Sequence, residues 1–426
     1  MFFKEFPMPV EPVIPDYYAK ITDFGAVENV LCTQSFRDAI AHVAEQGGGH
    51  VIVPKGTWKT GAIHLKSNID LHFEDGAKLD FSTNPDDYLP VVPIVMEGIR
   101  CYNYSPFIYG LDLENVSITG NGYLEGNGEA WWPWKKNMTG IMDLYYAGAD
   151  LRPVEERVYG TVEAGLRSPF IQLYKCKNVL MDGFFMHNSP FWNIDPVRCE
   201  NIIIRNITIQ APEDVPNTDG INMDSCRRGL MENCTIISVG DDLYCLKSGR
   251  NADGRAVGAP CEDIIIRNCR SLEKSRGSGV AIGSEMSGGV RNILVHDCDF
   301  AHALNCIRIK SKDGRGGVVE NIEYRNLHLG LGMRGINFSF RYGDVNPADD
   351  PKEHGVYMPT VRNIYCENFT CDKTKFGIAL DGIPNAEMSN LHFKDITMNS
   401  LTCITSDSVD GLFMENVRLT QLPPEE

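Results

Sequence analysis

A chain of 426 residues with 40 basic against 57 acidic side chains has a formal charge of −17, which argues against a nucleic-acid coat or a protein held on anionic lipid, since both need a basic excess. With 43% hydrophobic and 23% charged residues, the chain can bury a large core and does not have the composition of disorder. No run reaches the roughly 20 apolar residues of a bilayer span.

The opening MFFKEFPMPVEP is broken by Lys4, Glu5 and prolines before an apolar h-region develops, so the expected address is cytoplasmic unless a leader was removed. Residues Thr33 to Gln46 place Phe36, Ile40 and Val43 at i, i+4 and i+7 and stop at Gly47-Gly48-Gly49. That spacing predicts a short amphipathic helix inside a capping segment of about residues 1–50, covering the open end of whatever stack follows. The 14 cysteines run from Cys32 to Cys403 without a CxxC pair or a Cys/His ligand spacing. They read as small buried hydrophobes rather than disulfides or metal ligands.

A short phrase then recurs: a polar residue or Gly, β-formers at alternate positions, and Asn, Asp or Gly five places on. Examples are Asn115-VSIT-Gly120, Asn178-VLMD-Gly183, Asn201-IIIR-Asn206, Asp263-IIIR-Asn268, Asn321-IEYR-Asn326 and Asn390-LHFK-Asp395. From residue 178 the steps are 23, 27, 35, 29, 29, 42, 27 and 21 residues. Each phrase is too short to bury its own apolar face, and stacking its neighbours solves that problem. The period predicts an all-β parallel β-helix, a solenoid forming a single domain over 1–426. A TIM barrel of this length would need about eight helical segments, and one clear one is found. Asn at a repeated corner tolerates the left-handed conformation and can bond its own backbone. Two insertions interrupt the period, at about 125–167, with Trp131-Trp-Pro-Trp134, and at about 330–360. The tryptophans suit core packing or sugar platforms equally.

Four segments depart from the repeat: Asn217-Thr-Asp-Gly220, Gly240-Asp-Asp242, the block from Arg276 to Glu285 containing Gly277-Ser278-Gly279, and Arg308-Ile-Lys310. Asp219 to Asp241 is 22 residues, Asp242 to Ser278 is 36 and Ser278 to Arg308 is 30, so each lies about one coil from the next. At about 4.8 Å per rung the set spans roughly 14 Å of one face. Three neighbouring carboxylates repel one another and keep at least one protonated, which is what glycosidic cleavage uses. Asp241 and Asp242 would face opposite ways in a regular strand, and Gly240 is expected to allow an irregular turn that aims both at the groove. Alone, NTDG and GDD are more readily surface turns; one coil apart and followed by a basic pair, they read as a site. Arg308 and Lys310 alternate with Ile307 and Ile309, so both cations share the outer face and suit the carboxylate of a uronic acid glycan.

In this order and spacing the segments resemble glycoside hydrolase family 28, the polygalacturonase-like pectin hydrolases. TDFGAVEN, the stretch GGGHVIVPKGTWKTGAIHLKSNIDLHFEDGAKL, Ser189-Pro-Phe-Trp-Asn193 and Gly283-Ser-Glu-Met-Ser-Gly-Gly289 extend the likeness from about residue 22 to beyond 310. The resemblance implies a right-handed helix and an inverting hydrolysis of pectic oligosaccharides that needs neither metal nor cofactor. It makes Asp241 the general acid, gives the water to Asp219 and Asp242, and has Arg308 and Lys310 grip galacturonate, with Ser278, Asn217 and Glu285 also binding substrate. Two positions depart from the family pattern: Ser278 stands where a Gly-His-Gly histidine is usual, and Asp195 where relatives often have His. Both point toward the rhamnogalacturonan-cleaving branch, while the retained RIK points back to galacturonate. Large insertions beside the site favour trimming from one chain end. The rivals are a polysaccharide lyase on the same architecture, using an Arg or Lys base, and a non-catalytic glycan-binding solenoid.

Overall fold

A computed structural model describes residues 6–343 and 353–423. The chain winds as a right-handed parallel β-helix whose rungs join one large sheet. The repeated phrases are its strands, and they pair in register. Val116 stands beside Val179, then Ile202, Gly229, Ile264, Ile293, Ile322, Ile364 and Leu391 on successive rungs. This column is the core of the stack: the alternation in each phrase turns one set of aliphatics inward, and parallel pairing lines them up.

The corner asparagines take the left-handed conformation as expected, with φ of 55° at Asn115, 54° at Asn178 and 61° at Asn201. Their side chains bond along the stack rather than to their own backbone. Asn115 Nδ2 donates to Asn68 Oδ1, Asn178 to Asn115 and Asn201 to Asn178, each at 2.9 Å. The ladder stops at Arg228 and resumes from Asp263 through Asn292, Asn321 and Asn363 to Asn390.

Helix α1 (Thr33–Glu45) covers the first rungs and buries Phe36, Ala39, Ile40 and Val43. Residues 1–5 of the expected capping segment lie outside the described residues. All fourteen cysteines are free thiols, and all but Cys403 are buried. No helix among the described residues is long and apolar enough to cross a membrane.

Between Glu125 and Ile171 the chain leaves the stack, forming 3-10 turns and helix α2 (Thr139–Ala149). This excursion packs against an antiparallel hairpin, Val92–Met96 with Ile99–Asn103, that no repeat pattern marked. Ile94, Ile99, Leu144, Tyr159, Phe191 and Trp192 form a second core between the two. A buried ion cluster latches them down. Asp253, at the start of helix α3 (Asn251–Val257), accepts from Arg157 at 2.8 Å and from Arg100 at 2.8 and 3.1 Å. The second insertion starts later than its expected bound of about 330. Residues up to Ser339 finish the strand Val318–Ser339, where Ile336 pairs with Ile378 and Phe338 with Leu380. Alternation there was hidden by three glycines, which a parallel stack accepts where neighbouring carbonyls crowd in. The middle of that insertion, 344–352, lies outside the described residues.

Arg157 is 1% exposed, so Asp253→Ala leaves a buried guanidinium without its carboxylate. The expected loss is about 3–5 kcal/mol, read as a lower thermal midpoint and as faster proteolysis within the 125–167 excursion.

Candidate active site

Four successive strands carry the site: β1 (Ile221–Asp224), β2 (Tyr244–Lys247), β3 (Ser278–Gly283) and β4 (Asn305–Lys310). Ile221 pairs with Tyr244, Tyr244 with Val280 and Val280 with Ile307. The acids sit in the turns that feed these strands. Gly220 N donates to the Asp242 carbonyl and Leu243 N to the Ser278 carbonyl, both at 2.9 Å, so Asp219, Asp242 and Ser278 stand on consecutive rungs. Gly240 is required here, for space rather than for an unusual torsion: a Cβ on it would lie 1.6 Å from the Val215 carbonyl oxygen. Gly277 lets the next rung close on Asp241, whose carbonyl group would lie 2.0 Å from an added Cβ.

An open pocket lies over these turns, lined by Asp219, Asp241, Lys247, Glu285 and Lys310 among others. Asp242 lies just beneath, 1% exposed. Its Oδ1 accepts from the Ser278 N–H at 2.8 Å and its Oδ2 from Lys310 Nζ at 2.7 Å. Lys247 Nζ lies 3.0 Å from Glu285 and 3.7 Å from Asp219, over the Trp192 ring at 4.5 Å. Arg250 reaches the other Glu285 oxygen at 3.3 Å.

These contacts split the ionisation of the three aspartates. Burial and then the charge of Asp242 raise the pKa of half-buried Asp241. Burial and then the charge of Asp241 raise Asp219. Burial would raise Asp242 as well, but Lys310 foremost, with Arg308 and Lys247, overrides it and holds that carboxylate below its usual range. Negative charge is therefore favoured on Asp242, while the carboxyls of Asp219 and Asp241 are pushed toward their protonated forms. Carboxylate oxygens of Asp219 and Asp242 lie within 4.8 Å of each other and of Cys245 Sγ, a grouping that could hold a cation. The donor set fits a metal poorly. An ammonium already bonds Asp242, a second lies beside Asp219, and burial holds the Cys245 thiol protonated.

The structure thus brings Asp219, Asp241, Asp242 and Lys310 together. Arg308 acts on Asp242 electrostatically and stands 5.4 Å from the Tyr342 ring, as Lys310 does at 5.3 Å. Asn217 lines the pocket and accepts from Arg167 at 3.0 Å. Glu285 lines it too, but its carboxylate is taken by Lys247, Arg250 and Ser284, so it holds cations rather than an anionic sugar. Ser278 is fully buried and off the pocket wall; its Oγ accepts from Asn305 at 3.0 Å, and its service to the site is the backbone donor on Asp242. Asp195 is fully buried as well, accepting from Gln172 at 2.6 Å under the hairpin. Trp131 belongs to the core and Trp132 donates to the Ser189 carbonyl; the pocket's aromatics are Trp192, Tyr145 and Tyr342.

Lys247 was missed although its signal existed. It follows Leu246 as Lys310 follows Ile309, and both of those residues pair with Ile282, so the lysines share a column. Glu97 and Tyr145 come from the hairpin and the excursion, where no period announces which side chains turn back over the groove.

The family model for glycosyl hydrolases family 28 matches residues 163–411. A probable polygalacturonase of Vitis vinifera is 31% identical over 396 residues, covering 89% of this chain and 74% of its own. The crystal structure of a hyperthermoactive exopolygalacturonase from Thermotoga maritima superposes with a TM-score of 0.89 at 38% identity, covering 97% of this chain and 94% of that one. A family 28 exopolygalacturonase of Yersinia enterocolitica shares the fold, with a TM-score of 0.79 at 20% identity over 97% of this chain and 76% of that one.

Burial, then the charge of Asp224, pushes Asp195 up to about 8 from 3.8. A carboxyl raised on folding binds more protons in the folded state than in the unfolded one, so stability falls as pH rises between those two values. Asp195→Asn is expected to flatten the decline of the melting midpoint between about pH 5 and pH 8, checked by calorimetry across that range.

Proposed function

The chain belongs to family 28 of the glycosyl hydrolases, and from that premise we propose that it hydrolyses galacturonic-acid-containing pectic oligosaccharides with inversion, releasing sugar from one chain end. The observation that carries this reading is the split ionisation of three adjacent carboxylates beneath a cation-lined pocket. Asp241, half-buried and protonated, gives its proton to the glycosidic oxygen as the bond breaks. Asp219 and Asp242 are close enough for one water to bond both. That water attacks the anomeric carbon from the opposite face and yields its proton to Asp242.

Lys310 and Arg308 supply the cations for the galacturonate carboxylate beside the cleaved bond. In the free site Lys310 is held by Asp242. A substrate carboxylate drawing on the same ammonium loosens its hold and raises the basicity of Asp242 when the base is needed. Chain-end action is supported by the hairpin and excursion, whose Glu97 and Tyr145 wall the pocket, and by the 38% identity to an exopolygalacturonase of the same fold.

Ser278 and Asp195, whose identities suggested rhamnogalacturonan, are buried off the pocket wall and do not touch a sugar there. A lyase base is disfavoured because Asp242 keeps Lys310 charged and the ionised Glu285 keeps Lys247 charged, each against the pull of burial.

Asp241→Asn should lower kcat on oligogalacturonides about 10²- to 10⁴-fold, while calorimetric titration still shows binding. Proton NMR of the wild-type reaction should show the β-anomer first from an α-linked substrate, with monomer as the early product. An initial α-anomer refutes inversion, and release of mixed medium-length oligomers from long polygalacturonate refutes chain-end action.

A further inference from the structure

Arg308 and Lys310 lie on β4, two rungs beyond the strand that Asp242 feeds. They serve the sugar on that side of the cleaved bond. The opposite side, toward the N-terminal rungs, is walled by the excursion, which carries a cation with no part in the mechanism above. Lys135 lies in the 3-10 turn Trp132–Lys136, half-buried, and lines the site pocket with Glu97 and Tyr145. It also lines an adjoining narrow cleft with Arg167, Phe191 and Asn217, all from rungs at or before the one that holds Asp219.

Every other lysine of the pocket already faces a carboxylate: Lys310 bonds Asp242, and Lys247 bonds Glu285. Among the described residues no carboxylate pairs with Lys135. A partly desolvated ammonium without a counter-charge is costly unless a ligand supplies one. Asp219 and Asp241, pushed toward their neutral forms, offset the charge of the pocket's lysines less than ionised carboxylates would.

We propose that Lys135 binds the carboxylate of the terminal sugar, the one released, and thereby selects chains that end in a uronic acid. A substrate is then held by one carboxylate on each side of the bond, Lys310 and Arg308 on one and Lys135 on the other. Both carboxylates are needed for tight seating, so neutral ends are discriminated against. The inference rests on the chain-end hydrolysis proposed above and names the residue that reads the departing sugar.

The test separates the two readings by measuring binding without turnover. In an Asp241→Asn background, calorimetry compares trigalacturonate with the same trimer carrying a methyl ester on the terminal residue at the walled end. The acid trimer should bind about tenfold more tightly, as a charge-assisted hydrogen bond at a partly buried site allows. Adding Lys135→Gln should shrink that gap to about twofold or less, and adding Lys135→Arg, which keeps the charge, should preserve most of it. No gap in the Asp241→Asn protein, a gap that Lys135→Gln leaves intact, or a gap that Lys135→Arg abolishes as fully as Gln, each overturns the assignment. Chain-end hydrolysis itself is judged separately, by monomer release from the wild-type enzyme.

Discussion

Rung-to-rung register is the constraint on which everything else depends. In a parallel stack each residue is fixed beside one residue above and one below, at the strand spacing of about 4.8 Å. A slip of one place on any rung would turn its aliphatics outward and its polar residues inward. The column from Val116 through Ile202 and Ile322 to Leu391 forbids that slip. Loops of any length can leave at the corners without disturbing it, because only the strands are paired. An acid on one rung and a cation two rungs on are therefore positioned by the core and not by the loops between them, which is how Asp242 and Lys310, 68 residues apart, meet at 2.7 Å.

The same constraint explains the electrostatics. Stacked outer columns force like-sited side chains together, so a site with several acids must interleave cations or lose its ionised form. Here Lys310 answers Asp242, and Lys247 lies between Glu285 and Asp219. Asp241 is left without a bonded cation among the described residues, and burial beside Asp242 pushes its carboxyl toward the protonated form. Two adjacent residues, Asp241 and Asp242, thereby have their pKa values shifted in opposite directions by neighbours that other rungs supply. The chain is strongly acidic overall, yet Lys135, Lys247 and Lys310 converge on this one pocket.

What the sequence made legible follows the reach of periodicity. The strands and the corner asparagines belong to a pattern that repeats, and a repeating pattern predicts its own spatial neighbours; the acids near 219 and 241 break that pattern but lie one coil apart, and the capping helix shows its own helical spacing. Ser278 shows where this fails. Its position on the stack was readable, but whether its hydroxyl faces the pocket or Asn305 is decided by a neighbour's side chain. Glu285 was expected to bind substrate, and in the structure its carboxylate bonds Lys247 and Arg250, which nothing in Gly283-Ser-Glu-Met reveals. The glycines within 330–339 masked a strand as an insertion for the complementary reason: parallel pairing supplied from neighbouring rungs overrides weak local propensity.

The excursion between residues 125 and 167 is where the stack stops specifying function and added chain takes over. An open groove along a solenoid accepts a polymer at any point, and a wall at one end converts it into a pocket that counts from a terminus. Such a wall helps only if it is rigid, because a mobile one would lose ordering entropy each time a sugar bound. The structure meets that demand with two interactions of different kind. An apolar core joins helix α2 to the hairpin through Leu144 and Ile99, and the buried Arg157–Asp253–Arg100 cluster fixes the orientation of the whole against helix α3. Apolar packing alone is tolerant of sliding, whereas a buried carboxylate shared by two guanidinium groups has one satisfactory geometry. The ion cluster thus sets where the wall stands over the aspartates, and the apolar core keeps it closed.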